Sequence, residues 1–232
     1  TSISPAVESI EGGTELTISG GGYSSSSDQT SVVIAGATCE ISSLTYTEIV
    51  CTTGNGYAAT EDVDLQVYSN GAAVPAECES SCSFEYSASA TPTVTAVNPS
   101  TISAASSVLT ITGTNFGTVS GDAIVMVGDT ACTVSTVTAT QIECNAGQPI
   151  AGVQAFKVTI VNVGHATSSV STITVQNGIT SVTPSSGSVL GGTMLTIAGL
   201  GFKSGDTAVT VGGHACLVES VTPVEIVCTA RA

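Results

Sequence analysis

The stretch AVTVGGHACLVESVTPVEIVC, Ala208–Cys228, occurs three times in this chain. Its other copies are SVVIAGATCEISSLTYTEIVC at Ser31–Cys51 and IVMVGDTACTVSTVTATQIEC at Ile124–Cys144. Each has a strand-like run (holding Val33, Met126 or Thr210), a turn of small residues at Gly36, Asp129 or Gly213, a cysteine, a second strand-like run and a closing cysteine. Cys39 and Cys51, Cys132 and Cys144, and Cys216 and Cys228 share one separation of 12. A repeat of this length decides fold and domain count before any single residue is weighed.

The second half of the repeat reads as a hairpin. With Cys39 opposite Cys51, Ile41 falls opposite Ile49 and the turn centres on Thr45. The same register sets Val134 opposite Ile142 and Val218 opposite Ile226. Alternation along a strand then puts cysteines and aliphatic residues on one face, and a slip of one residue would turn them all outward. The pattern predicts three intradomain disulfides: Cys39–Cys51, Cys132–Cys144 and Cys216–Cys228. A further pair, Cys78 and Cys82 in ECESSC, occurs in the first repeat alone. It reads as a local loop staple, with a zinc or redox site as the alternative.

Working outward, each repeat opens on a proline: Ile3-Ser-Pro5, Val97-Asn-Pro99 and Val182-Thr-Pro184. Proline keeps the preceding residue extended. Leu16-Thr-Ile-Ser-Gly20, Leu109-Thr-Ile-Thr-Gly113 and Leu195-Thr-Ile-Ala-Gly199 follow, alternating as strands with one buried face and ending on glycine. Three residues on stand Tyr23, Phe116 and Phe202, read as plugs at the end of a core. After the cysteine stretch, Val63–Tyr68 and Phe156–Val161 read as strands, Asn70-Gly71 as a hairpin turn, and Ser83–Tyr86 and Val170–Val175 as closing strands. The third repeat stops four residues after Cys228. The expected domains are 1–90, 91–177 and 178–232, the last truncated on its C-terminal side because an open sandwich edge would otherwise be exposed.

Composition narrows the function. The chain has 232 residues and a net charge of −15; its fixed cations are Lys157, Lys203 and Arg231. Phosphate neutralisation needs clustered Lys and Arg, so nucleic acid is excluded as a partner, and docking on anionic lipid with it. Ser and Thr exceed a quarter of the residues, giving a polar, charge-poor surface. No apolar run reaches the length of a bilayer span, and TSISPAV is no leader, which suggests a piece of something larger. Eight cysteines point to an oxidising compartment. The spacing of 12 is not that of a zinc knuckle, and His165 and His214 are the only imidazoles.

Seven or so short strands in about 85 residues describe an immunoglobulin-like sandwich. The proline lead-in, the L-T-I-x-G strand, the aromatic three residues later, the glycine turn and the paired cysteines ending in I-x-C resemble the IPT/TIG domain over the whole chain. The cysteine pair and the tandem array look most like the fibrocystin-like group of large extracellular and ciliary surface proteins. The resemblance implies an all-β chain of tandem immunoglobulin-like (E-set) sandwiches arranged end to end. It also implies a non-enzymatic extracellular segment, at the cell surface and there ciliary or flagellar, serving as a semi-rigid stalk, adhesion module or filament component. The alternative it implies is a ligand-binding segment of a plexin- or fibrocystin-like receptor ectodomain. Expected contacts are with neighbouring domains, other copies or a surface ligand.

No residue set reads as catalytic, and no cofactor or metal is expected. There is no G-x-S-x-G elbow, no defensible Ser/His/Asp ordering and no glycine-rich loop opening a helix. His214 reads as a variable turn residue. Glu8, Glu11, Glu15, Glu48, Glu61, Asp62, Asp64, Glu77 and Glu79 concentrate in the first repeat. A solvated acidic surface is the simpler reading, calcium the alternative. Ser24–Ser27 reads as a flexible loop or an O-glycan site. Asn98 is followed by proline, which disqualifies it as an N-glycan acceptor.

Overall fold

The computed structural model describes residues 2–24, 26, 30–34, 36–55, 62–69, 72–74, 83–105, 107–205 and 207–232, with backbone alone at 62–69, 72–74 and 83. Cys78, Cys82, the Asn70-Gly71 turn and Glu61, Glu77 and Glu79 lie outside them, as do Ser25 and Ser27.

The chain folds as consecutive β-sandwiches. Sandwich one contains β1 (Ser2–Ser4), β2 (Val7–Glu8), β3 (Glu15–Ser19), β4 (Thr30–Ile34), β5 (Ala37–Leu44), β6 (Glu48–Thr52), β7 (Asp62–Ser69), β8 (Ala72–Val74) and β9 (Ser83–Tyr86). Their order is β1-β3-β6-β5-β4-β7-β9-β2, with β8 on β7. Strand β5 joins the two layers: Cys39 pairs with Val32 of β4, while Ile41 and Leu44 pair with β6.

Sandwich two repeats the plan. It contains β10 (Thr93–Asn98), β11 (Thr101–Ser103), β12 (Val108–Thr114), β13 (Ala123–Val127), β14 (Thr130–Thr138), β15 (Gln141–Asn145), β16 (Gly152–Ile160), β17 (Gly164–His165), β18 (Thr167–Ser168) and β19 (Thr172–Gln176). The order is β11-β19-β16-β13-β14-β15-β12-β10-β18, with β17 on β16. Sandwich three contains β20 (Gly178–Thr183), β21 (Met194–Leu200), β22 (Val209–Val211), β23 (His214–Thr222) and β24 (Glu225–Ala230), ordered β20-β21-β24-β23-β22. That is the β10-β12-β15-β14-β13 half of sandwich two. Among the described residues of 178–232, nothing takes the places of β16 and β19.

Each sandwich buries its own apolar face. In β12, VLTITGT alternates exposed and buried, so Leu109 and Ile111 point inward with Ile142 and Cys144 of β15. Leu16, Ile18, Ile49 and Cys51 do the same in sandwich one, and Leu195, Ile197, Ile226 and Cys228 in sandwich three. Fully burying one such aliphatic side chain contributes about 2 kcal/mol. Phe116 and Phe202 are buried and Tyr23 is half-buried against its core. Gly113 and Gly199 lie within β12 and β21 rather than ending them; a Cβ at either would overlap Phe116 or Phe202 and the backbone of the paired strand, so only glycine fits there. The bonds Ser4–Pro5, Asn98–Pro99 and Thr183–Pro184 are cis.

The hairpin register differs from the expected one. Cys39 does not face Cys51. Ile41 faces Cys51 and Leu44 faces Ile49; likewise Val134 faces Cys144 and Val137 faces Ile142, and Val218 faces Cys228 and Val221 faces Ile226. A bulge between Ile41 and Ser43, recurring in the other two copies, is the reason: two residues oppose one and the turn moves on to Tyr46-Thr47. The register moves by two residues before the bulge, which preserves the face, so the cysteines still point inward.

Candidate functional site at the joints between sandwiches

Among the described residues three cysteine pairs are bonded. The S–S distances are 2.07 Å for Cys39–Cys51, 2.07 Å for Cys132–Cys144 and 2.11 Å for Cys216–Cys228, with Cα–Cα distances of 5.5, 5.5 and 5.6 Å. Each cystine joins diagonal neighbours: Cys39 lies two residues from Ile41, the residue opposite Cys51. All six are buried in their cores. They brace the sandwiches and present nothing to solvent.

The polar chemistry lies instead where one sandwich meets the next. In sandwich one the segment Ser9-Ile-Glu-Gly-Gly-Thr14 connects β2 to β3. Gly12 and Gly13 have φ of +64° and +84°, a region that glycine enters without steric cost. The Gly13 N–H donates to the Thr53 carbonyl at 2.9 Å and the Thr53 N–H to the Thr14 carbonyl at 2.9 Å, pinning the loop against the end of β6. Val163-Gly164-His165 of sandwich two docks on it. The Ser9 N–H donates to the Val163 carbonyl at 2.6 Å, the Ser9 hydroxyl to the His165 carbonyl at 2.6 Å, and the His165 N–H to the Gly12 carbonyl at 2.7 Å. Gly164, with φ +111°, lacks the Cβ that would collide with Gly12 and Ser9, and the imidazole of His165 fills the space beside Gly13. Asn115 adds a clasp, its amide donating to the carbonyls of Ser89 at 2.8 Å and Thr91 at 3.1 Å in the connecting segment.

Two titratable groups, Glu8 and His165, line this joint, with the Tyr86 hydroxyl beside Glu8. Glu8 is 0% exposed and accepts a hydrogen bond from the Thr53 hydroxyl at 2.8 Å. Burial pushes its carboxyl up from 4.5 to about 7, and the neighbouring hydroxyls of Thr14, Thr53 and Tyr86 offset only part of that. Its Oε1 and the Thr14 hydroxyl are buried without a hydrogen bond of good geometry, and a buried carboxylate oxygen left in that state favours the protonated form. Glu8 therefore departs from the solvated acidic surface read from the sequence: it is core, not surface. The Tyr86 hydroxyl, donating to the Gly54 carbonyl at 3.1 Å, is held well above the usual tyrosine range by burial and then by Glu8. His165 Nδ1 lies 2.8 Å from the Thr159 hydroxyl, and burial, then Lys157, lowers its pKa to about 4. Both groups are uncharged over part of the pH range that matters, which suits a joint that excludes water.

Sandwiches two and three meet differently. The Ala151 N–H donates to the Gly201 carbonyl at 2.9 Å, and Leu200 packs against the core of sandwich two. Gly201, at φ +81°, sits where a Cβ would strike the Ala104 and Ala151 methyl groups. Beside the contact lies an open cleft of about 960 Å³, lined by residues including Asp129, Ile150, Val153, Gln176 and Lys203. His214 is exposed at the start of β23. Among the described residues no three of His, Cys, Asp and Glu are grouped to hold a metal ion. The joint residues Ser9, Gly12, Gly13, Gly164 and His165 were not legible as a site. The signal was present in one form: S-I-E-G-G-T at Ser9–Thr14 returns as S-V-L-G-G-T at Ser188–Thr193.

Comparison with known proteins agrees with this architecture. The chain is 33% identical over 231 residues to Fibrocystin-L of Mus musculus and 34% identical over 225 residues to Fibrocystin-L of Homo sapiens. These alignments cover 99% and 97% of this chain and 5% of each relative, so the chain spans about one-twentieth of their length. Among solved structures, the full extracellular region of plexin A4 aligns with 98% of this chain and 20% of its own, at 16% identity and a TM-score of 0.48. The family model described as IPT/TIG domain matches residues 1–86, 92–175 and 178–232. The chain belongs to the IPT/TIG domain family, as three of its domains in tandem.

Proposed function

We propose that this chain is a non-enzymatic segment of a large extracellular, receptor-type ectodomain, in which it acts as a semi-rigid stalk. The observation that carries the reading is the joint between sandwiches one and two. A freely hinged array needs only a tether, whereas here three hydrogen bonds, a glycine-lined contact and the Asn115 clasp fix one sandwich on the next. Stalks hold distance, and distance is held by such joints. The acidic net charge works the same way, since like-signed modules resist folding back on one another. The match to Fibrocystin-L along nearly the whole chain supports an extracellular, cell-surface setting, and the buried cystines suit an oxidising one. Placement on a cilium or flagellum, a part in adhesion or in a filament, and O-glycans on the Ser/Thr-rich surface belong to the same reading. So do the division at 1–90, 91–177 and 178–232 and the pairing of Cys78 with Cys82.

Small-angle scattering tests the shape. A compact globule of this length has a radius of gyration of about 17 Å. The stalk reading expects a value well above that and a maximum dimension near three sandwich lengths; a value near 17 Å overturns it. A ligand-binding ectodomain is the second reading, favoured by the cleft beside Gly201, where Ile150 and Val153 are left exposed. Substituting both by Ser would abolish binding of a cell-surface ligand without altering the scattering profile.

A further inference from the structure

The loop Ser188-Val-Leu-Gly-Gly-Thr193 of sandwich three is built as the docking loop of sandwich one is built. Gly191 and Gly192 have φ of +78° and +79°, against +64° and +84° at Gly12 and Gly13. The Gly191 N–H donates to the Ser188 carbonyl at 3.1 Å, as the Gly12 N–H does to the Ser9 carbonyl at 3.1 Å. The Leu190 N–H donates to the Ser188 hydroxyl at 3.2 Å, as the Glu11 N–H does to the Ser9 hydroxyl at 3.1 Å. The Gly192 N–H donates to the Ala230 carbonyl at 2.8 Å and the Ala230 N–H to the Thr193 carbonyl at 2.9 Å, matching the Gly13, Thr53 and Thr14 bonds. Sandwich two keeps part of this network, the Ala105 N–H donating to the Ser103 hydroxyl at 3.1 Å and the Ala146 N–H to the Ser107 carbonyl at 2.9 Å. Its counterpart, Ser103–Ser107, lacks the two glycines, and its joint to sandwich three is of the other kind.

What differs is the occupant. Ser9 and Gly12 are buried and the imidazole of His165 stands over Gly13. Ser188 and Gly192 are exposed, a Cβ on Gly192 would meet nothing within 4 Å, and Val189 and Leu190 are 93% and 84% exposed. The Ser188 N–H, whose counterpart in Ser9 reaches the Val163 carbonyl, turns back to the Thr193 hydroxyl at 3.2 Å. The loop carries the docking geometry, with the Ser188 N–H bonded inward as the Ser103 N–H of sandwich two is bonded to the Ser107 hydroxyl at 3.1 Å.

We propose that Ser188–Thr193 is the receiving half of another sandwich-to-sandwich joint, and that its occupant is the edge turn of a further IPT/TIG sandwich in the same polypeptide. The chemistry of the occupant follows from the filled joint. It is a turn of the form X-Gly-Y on an edge strand. The X carbonyl accepts from the Ser188 N–H, the Y carbonyl accepts from the Ser188 hydroxyl, and the Y N–H donates to the Gly191 carbonyl. The glycine admits the loop backbone, and the Y side chain covers Gly192. Relatives about twenty times as long as this chain leave room for such a module. The inference deepens the stalk reading and rests on it. Scattering of residues 1–232 tests the stalk, whereas the test below reads one loop, so either can fail alone.

Three lengths of the parent polypeptide are compared by amide hydrogen exchange: residues 1–232, the same extended only to complete sandwich three, and the same extended by one sandwich more. The expected result is protection of the Ser188–Thr193 amides by tenfold or more in the longest chain alone. Gly192→Asn, which keeps the positive φ but fills the space over the loop, should abolish that protection in the longest chain and change nothing in residues 1–232. Equal exchange in all three overturns the proposal, as does protection that appears when sandwich three is merely completed. Protection in residues 1–232 that rises with concentration, alongside dimers in sedimentation, also overturns it, because the occupant would then be a second copy.

Discussion

His165 of sandwich two stands in the space that a side chain on Gly13 of sandwich one would need. Asparagine tolerates the left-handed conformation of Gly13, so Gly13→Asn separates collision from backbone strain. The variant should leave each sandwich folded and open the joint between them. The His165 amide, which donates to the Gly12 carbonyl, is the reporter. Its hydrogen exchange should quicken by tenfold or more while core amides such as that of Ile111 stay protected. Unchanged exchange at His165 would mean that the imidazole contact does not hold the joint.

The same imidazole makes the joint sensitive to acid. Its pKa in the folded chain, about 4, lies below the ordinary 6.5 because burial, then Lys157, disfavours the charged form. The contribution of His165 is therefore complete above pH 6.5 and is lost as pH falls through 6.5 toward 4. Discounted for partial exposure, the loss is on the order of 1–2 kcal/mol. Scattering and exchange at the joint should show it loosening over that interval. His165→Gln, which does not titrate, should flatten the response.

Glu8 acts in the opposite direction. Its folded pKa of about 7 lies above its ordinary 4.5, so its contribution is complete below pH 4.5 and is lost as pH rises through 4.5 toward 7. The loss is bounded at about 3 kcal/mol. Glu8→Gln keeps an acceptor for the Thr53 hydroxyl and removes the charge. In chemical denaturation the variant should match the parent at pH 4 and exceed it at pH 8. A variant less stable at pH 8 would show that the carboxylate is tolerated in its site.

Most of the fold was legible because it is written in short-range patterns. Leu109-Thr-Ile-Thr alternates as a half-buried strand must, and Leu109 and Ile111 are fully buried. Phe116 and Phe202 plug their cores as the aromatic spacing suggested. The register was misread at one point, because the bulge after Ile41 leaves no mark in the alternation of the residues before it. The joint was illegible for a different reason. Its docking bonds join residues far apart in the chain, Ser9 and His165 being 156 positions apart, and no periodicity reports on that. Glu8 was read as solvated because a lone carboxylate in an acidic repeat carries no sign of burial. Only the end of β6, folding Thr53 across it, puts it inside.

The cystines make a prediction about how far one sandwich depends on its staple. Cys132–Cys144 spans β14 and β15, which are already paired from Thr133↔Asn145 to Thr138↔Gln141 and already packed on Leu109 and Ile111. A loop closed by residues 12 apart lowers the entropy of the unfolded chain enough to stabilise the fold by about 3 kcal/mol. Cys132→Ala with Cys144→Ala removes the bond without leaving buried hydroxyls, so the loss should stay near that figure. Sandwich three holds Cys216–Cys228 in a smaller core, with Leu195, Ile197, Phe202 and Ile226 as its other buried members. The same double substitution there should therefore unfold it outright, while sandwiches one and two keep their exchange protection. Peptide mapping without reductant should join Cys39 to Cys51, Cys132 to Cys144 and Cys216 to Cys228, and Cys78 to Cys82. Any cross-link between sandwiches would overturn the assignment. Equal tolerance of the two double variants would show that the core of sandwich three is carried by contacts other than its cystine.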